Sequence, residues 1–382
     1  MSKDNGTPDL FKGVRDTEVA MVIAQCAVTF GTDSSQFRDL VARINSGLPL
    51  KELAIDVVEA PWLAADFGKQ TARFDKQTAR ERRIKENKAK FIAEAVAIEA
   101  ESAQEAGMLG FMARVLVQAT MPHSKPNSNE YSRRNGTLQV SIMAPSQIGL
   151  PYGSYPRLLL AWLTTEAVRT KSPTLHLGDT LTEFMNKLDL NPTGGRWGNI
   201  TALKEQANRL FGSSVVAYDD VRGKSTSARH IRGSQIIVAE DWDLWWDPRQ
   251  VNGEEAGQNG LFSSWVKLSE KFYNQVTDRP VPIDLRAIRA LKRSPLALDL
   301  YSWSTYRVSY LNKRTEIPWE ALQMQLGANY ADDAAGQGRR DFKKKLLQAL
   351  RKVKTVYPEL HAQEGDRGLV MLPSPTHVLA KK

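Results

Sequence analysis

Residues 180–211 read TLTEFMNKLDLNPTGGRWGNITALKEQANRLF, and the punctuation of this stretch decides the fold. Thr180-Leu181-Thr182-Glu183 has the spacing of a capping box, in which the first hydroxyl and the last carboxylate satisfy each other's backbone amides. Behind it Leu181, Phe184, Met185 and Leu188 fall on one helical face. Asn191-Pro192-Thr193-Gly194-Gly195 then breaks the helix, because proline and paired glycines favour a turn. A second helix is predicted from Arg196 to Phe211, with Ile200, Leu203, Ala207 and Leu210 spaced as a buried stripe. Two helices across a tight turn form a helix-turn-helix, whose second helix is the one that enters a DNA major groove.

Outward from that motif the element order extends it. Upstream, Pro156 opens a helix running through Arg169 with Leu158, Leu159, Trp162, Leu163 and Ala167 inward, and Thr174–Leu177 is a short strand. Downstream, Ser214–Tyr218 and Gln235–Ala239 are strands flanking a basic, glycine-bearing hairpin, Val221–Gly233. Helix, strand, helix, turn, helix, hairpin is the order of a winged helix-turn-helix. The same order recurs about 140 residues on: helix Pro295–Leu311, strand Thr315–Ile317, helix Trp319–Leu326, a turn-rich loop Gly327–Gly338, helix Arg339–Val356, and strands Tyr357–Ala362 and Gly368–Leu372. The chain therefore reads as mainly α with small β (α+β): tandem winged helix-turn-helix domains preceded by a helical N-terminal region. The boundaries fall at 1–137, 138–250 and 251–382.

Charge says what such a chassis would hold. With 52 Lys and Arg against 43 Asp and Glu the net charge is +9, which favours a polyanionic partner without naming one. Much of it sits on one predicted helix, GRRDFKKKLLQALRKVKTV, where Arg339, Arg340, Lys343, Lys344, Lys345, Arg351, Lys352 and Lys354 are opposed only by Asp341. Solvated helix faces normally mix both signs at i, i+4. A one-signed face repels itself unless an anion lies along it, and phosphates bound there release counterions. The helix at 196–211 is less charged but chemically suited to bases. Arg196, Asn199, Lys204 and Asn208 face away from its apolar stripe, and Arg and Asn pair bidentately with guanine and adenine. Arg222, Lys224, Arg229, His230 and Arg232 in the hairpin suit backbone phosphate or minor-groove contact.

At the N-terminus, residues 1–13 read as disordered, and Glu18–Phe30 and Ser35–Ile44 as short helices. Lys69–Lys90 then carries nine Lys or Arg against three acids, with no Gly or Pro, and continues as a helix toward Gly107. A solvated arm, a DNA-contacting arm and part of a dimer interface are all compatible with it. The acid-flanked tryptophans of Asp241–Asp247 repel phosphate and read as packing residues.

Catalysis finds little footing. His123, His176, His230, His361 and His377 form no metal-ligand spacing, no phosphate-binding GxxxxGK[ST] loop occurs, and the single cysteine, Cys26, reads as a small buried residue. The paired acids Asp219-Asp220, Glu254-Glu255 and Asp332-Asp333 sit in turn contexts. No enzyme, cofactor or metal is expected. The opening MSKDNGTPDLFKG lacks a signal peptide's apolar core. No apolar run approaches membrane-spanning length, so a cytoplasmic protein is expected.

Two further stretches carry a family resemblance. Residues 148–163, IGLPYGSYPRLLLAWL, followed by Thr164-Thr165-Glu166-Ala167, resemble the opening of the shared region of plasmid-encoded RepA replication proteins. Residues 188–198, LDLNPTGGRWG, resemble the same family's turn into its recognition helix, which Gly195, Arg196 and Trp197 would open. With Gln206, Arg209, Leu210 and Ser294–Tyr301 the resemblance spans roughly 140–375, and the first 130 residues match nothing recognised. It implies an initiator that binds direct repeats (iterons) of double-stranded DNA in a plasmid origin and helps open a neighbouring A·T-rich segment. It also implies recruitment of the host replication helicase machinery, in a bacterial cytoplasm, and in many relatives a homodimer. A winged-helix transcription or partition regulator and an origin-nicking enzyme stand as alternatives.

Overall fold

A computed structural model describes residues 42, 61–100, 108–118, 120–178, 181–195, 198–222, 229–244, 264–327 and 336–378. Within them, side chains are described except at 61–78, 99, 100, 115, 181, 220–222 and 229–231. The chain divides into two units, Met1–Lys88 and Ala89–Lys382. The described part of the first is helical: Ala42 and the start of helix α1, Pro61–Ala100. The charged helix expected from Lys69 onward is part of α1. The helices expected at Glu18–Phe30 and Ser35–Ile44 lie outside the described residues, Ala42 aside.

The second unit is built around α3, Ser154–Thr170. Periodicity predicts one buried face, yet Leu158, Leu159, Leu160, Ala161, Leu163, Thr164 and Ala167 are all buried, so elements cover it nearly all round. A strand β1 (Leu109–Met112) lies against it and pairs antiparallel with β9 (Val281–Asp284), and the short helix α2 (Arg114–Gln118) follows β1. After α3 come β4 (Thr174–Gly178), α4 (Leu181–Lys187) and α5 (Asn199–Phe211). The left-handed Lys171, at φ 55°, ends α3 and turns the chain into β4. Thr180, the expected cap of α4, lies outside the described residues.

The strands that follow correct the expected wing. β5 (Ser214–Arg222) and β6 (Arg229–Ile237) do pair as a hairpin, but β4 is not in their sheet. They extend a four-stranded antiparallel sheet in the order β2-β3-β5-β6, where β2 is Glu130–Asn135 and β3 is Leu138–Met143. Strand β4 instead pairs with β8 (Ser264–Leu268), which pairs with β7 (Ala239–Asp243), giving the order β4-β8-β7. The physical reason is burial. Tyr131, Ile142, Val215 and Ile236 lie in one row across the four strands, all buried. Alternation therefore gives this sheet an apolar inner face of its own.

Helices α6 (Glu270–Asp278) and α7 (Leu285–Leu291) lead to α8 (Pro295–Val308), β10 (Thr315–Pro318), α9 (Trp319–Leu326), α10 (Gln337–Val356), β11 (Ala362–Glu364) and β12 (Gly368–Met371). Here the expected elements appear in the expected order, except that the strand expected from Tyr357 begins only at Ala362. The sheet runs β10-β12-β11. Helix α8, like α3, is buried along nearly its whole length. Among the described residues no helix is long and apolar enough to cross a membrane.

Candidate nucleic-acid interface

Helix α10 separates its two chemistries by period. Phe342, Leu346, Ala349, Leu350, Val353 and Val356 are buried, and they dock the helix onto α8 and α9. At 100° per residue the opposite face is Arg340, Asp341, Lys344, Gln348, Arg351 and Thr355, flanked by Lys345, Lys352 and Lys354, and all of these are exposed. Among the described residues, two of the eight cations have carboxylate partners. Lys343 Nζ lies 2.7 Å from Glu364 and 5.1 Å over the Trp319 ring, and Arg339 stands 4.0 Å from Glu320. Arg340 donates to the neutral Gln337 side chain, whose own amide engages Asp341, the helix's single acid. Among the described residues no carboxylate forms an ion pair with Arg340, Lys344, Lys345, Arg351, Lys352 or Lys354.

Helix α5 is held differently. Ile200, Leu203, Ala207, Leu210 and Phe211 are buried as the periodicity predicts. The turn before it is tight: a Cβ on Gly198 would collide with the Thr193 and Gly194 carbonyl oxygens. Asn199 is bound into that turn. Its Nδ2 donates to Asn191 O (2.9 Å), its Oδ1 accepts from Tyr155 Oη (2.8 Å), and its backbone N–H donates to Thr193 Oγ1 (3.0 Å). Those bonds occupy the amide that would otherwise pair with adenine. Asn208 is exposed and Lys204 half-buried. Arg196, Trp197 and Lys224 lie outside the described residues, Arg222 and Arg229 are described by their backbones alone, and Arg232 is exposed on β6.

The side chains that join these elements lie far from their partners in the linear sequence. Tyr152 N–H donates to Gln206 Oε1 (2.8 Å), and Arg209 Nη1 donates to Leu150 O (3.3 Å) with its guanidinium over the Tyr152 ring. Helix α5 thus clamps the Gly149–Gly153 segment, where both glycines take the positive φ that favours glycine (75° and 76°). Arg157, in α3, is 3% exposed and uses every N–H it has. Two go to the Asp299 carboxylate of α8 (2.7 Å each), two to the carbonyls of Pro122 and Gly153, one to Met121 O. His123 Nε2 adds a third bond to Asp299 at 2.9 Å. Burial alone would raise the Asp299 pKa, but the Arg157 guanidinium and the hydrogen bond from His123 outweigh it and hold the carboxyl below its ordinary range. The signal available in the sequence was a charged pair, Arg157 and Asp299, set inside two apolar helices, since buried charges need partners.

Both ends of that bond fall within a recognisable region. Residues 150–321 match the family described as "Plasmid encoded RepA protein". That segment, less than half of the chain, is similar to plasmid RepA proteins. The matched residues include Gln206 and Arg209 of the clamp and the Arg157–Asp299 pair, while α10 follows the matched region. No curated protein matches the chain. Two solved structures of RctB domains 2 and 3 are similar to it. One is 13% identical with a TM-score of 0.40, over 67% of this chain and 94% of that one. The other, a selenomethionine derivative, is 12% identical with a TM-score of 0.44, over 70% and 97%. Among the described residues no group of His, Cys, Asp or Glu is placed to hold a metal ion.

Proposed function

We propose that the protein is a plasmid replication initiator that binds repeated duplex sequences at an origin, promotes opening of the DNA beside them and recruits the host helicase, without a catalytic step of its own. The observation that carries the reading is the exposed, predominantly basic face of α10, a surface that gains free energy from displacing counterions on phosphate. The match of residues 150–321 to the RepA family supports the replication role.

The architecture we propose is two winged helix-turn-helix units in tandem, after a helical N-terminal region. Support comes from sheet order. Each of β4-β8-β7 and β10-β12-β11 takes its first strand from between two helices of the unit, and the strand that comes last in the chain lies in the middle. In this reading β7 and β8 are the wing strands of the first unit, and the β2-β3-β5-β6 sheet is an addition to it. Asn208 and Lys204 then remain base-side candidates on α5, together with Arg196 and Trp197 at its approach. A homodimer and a cytoplasmic location belong to the same proposal.

The decisive experiment supplies the gene in trans to a plasmid that carries only the neighbouring direct repeats and a selectable marker. Replication of that plasmid is the expected result. Binding without replication would favour a regulator, and a nicked supercoiled product formed with magnesium would favour a nuclease.

A further inference from the structure

The four-stranded sheet β2-β3-β5-β6 has both of its hairpins turning at one end, because β3 and β5 pair antiparallel with Leu138 opposite Asp219. The first turn, at Gly136 and Thr137, stands clear of the molecule: Gly136 has φ +62° and nothing lies within 4 Å of where its Cβ would be. Next to it the pleat assigns two arginines opposite jobs. Arg133 belongs to the inner face, where Nε donates to Tyr131 Oη (2.5 Å) and the guanidinium covers that ring. Arg134 belongs to the outer face and is exposed.

The second hairpin brings another cation to the same end. Arg232 is exposed and level with Asn135, in the row Asn135–Leu138–Asp219–Arg232. Three inter-strand gaps put the ends of that row about 14 Å apart, so side chains at its two ends reach different phosphates. By alternation that row belongs to the face opposite Arg134, so a sugar-phosphate backbone laid over the turns has a cation on each side. The acid in the row, Asp219, has one carboxylate oxygen buried, and among the described residues it forms no ion pair with Arg232. Beyond it the β5–β6 ladder continues three pairs further, to Arg222 opposite Arg229.

We propose that this sheet end is a second grip on duplex DNA, in which Arg134 and Arg232 contact separate backbone phosphates without reading sequence. The inference rests on the DNA-binding role proposed for the chain. Its test compares the wild-type chain, R134E/R232E and K344E/R351E, measuring dissociation constants by fluorescence anisotropy on origin-repeat and random duplexes across a salt series. R134E/R232E should bind both duplexes more weakly, with the log–log salt slope flattened by about 1.8, two phosphates' worth. An unchanged slope in R134E/R232E beside a flattened one in K344E/R351E would overturn the sheet grip and leave the DNA-binding role standing. Should the reversal variant fail to fold, R134Q/R232Q is measured in its place and read by the same slope. A wild-type chain that retains no duplex at low salt overturns both.

Discussion

Arg157 is the most committed side chain among the described residues, because each of its five N–H groups already has an acceptor. A buried ion pair contributes little when compared with apolar groups of the same shape, but removing one partner strands the other. Asp299→Asn should therefore cost about 3–5 kcal/mol, read as a fall in the urea midpoint, while Arg157→Met/Asp299→Leu should recover much of the loss. A loss below about 1 kcal/mol in the single variant would show the pair to be open to water. Gly198 is the other position with no slack. A methyl there meets the Thr193 and Gly194 carbonyl oxygens, which belong to the backbone and cannot swing away. Gly198→Ala should lower the thermal midpoint and blunt any contact made at the start of α5, while Asn208→Ala leaves the midpoint where it was.

At the scale of elements, α10 sets like-charge repulsion against the packing of its apolar face. Arg340 and Lys344 are like charges at i, i+4, an arrangement that costs a few tenths of a kcal/mol. Lys344→Gln/Arg351→Gln should thus leave the unfolding midpoint unchanged or slightly higher while the salt slope of DNA binding flattens by about two units. Loss of stability together with binding would mean the cations are structural. This helix was legible in the sequence because one period carried both signals, apolar at Phe342, Leu346 and Val353 and basic at the positions between. Strand β5 was legible too, but its sheet was not. Alternation in Ser214–Tyr218 announces a half-buried strand, yet nothing in it says whether β4 or β3 lies alongside. Asn199 shows the same limit at closer range: its helical position was right, and its capture by Tyr155 is a tertiary event 44 residues away. Helices α6 and α7 went unread although their caps were visible. Ser269 accepts from Phe272 N–H (3.2 Å) and Asp284 from Arg286 N–H (2.8 Å), the side chains most favoured at such sites.

At the scale of the whole second unit, His123 and His377 are the groups that respond to acid. His377 stacks on Tyr357 (4.5 Å between centroids), and its Nδ1 lies 2.7 Å from Tyr301 Oη. The Tyr301 oxygen also accepts from Asp284 N–H (2.9 Å). Burial lowers the His377 pKa from 6.5 to about 4, and burial lowers that of His123 as well. A histidine whose folded pKa is depressed leaves stability intact above pH 6.5. Below it the unfolded chain takes up a proton that the fold refuses, and stability falls until pH reaches about 4. For His377 that window amounts to about 3 kcal/mol. The urea midpoint should therefore drop steadily across that window, and His377→Gln should shrink the drop. An identical profile in the variant would assign the acid sensitivity elsewhere.

The Arg157–Asp299 bond joins the helix that begins one proposed DNA-binding unit to the helix that begins the other. Units tethered by a slack linker adjust to whatever spacing their target offers; units bolted core to core bring a spacing of their own. On the function proposed above, the protein acts as a gauge of helical phase, and the gap between its two proposed footprints is set by side-chain packing, not by the DNA. About five base pairs inserted between those footprints turn the second one roughly half a revolution away, to a side of the duplex that a bolted molecule has no means to reach.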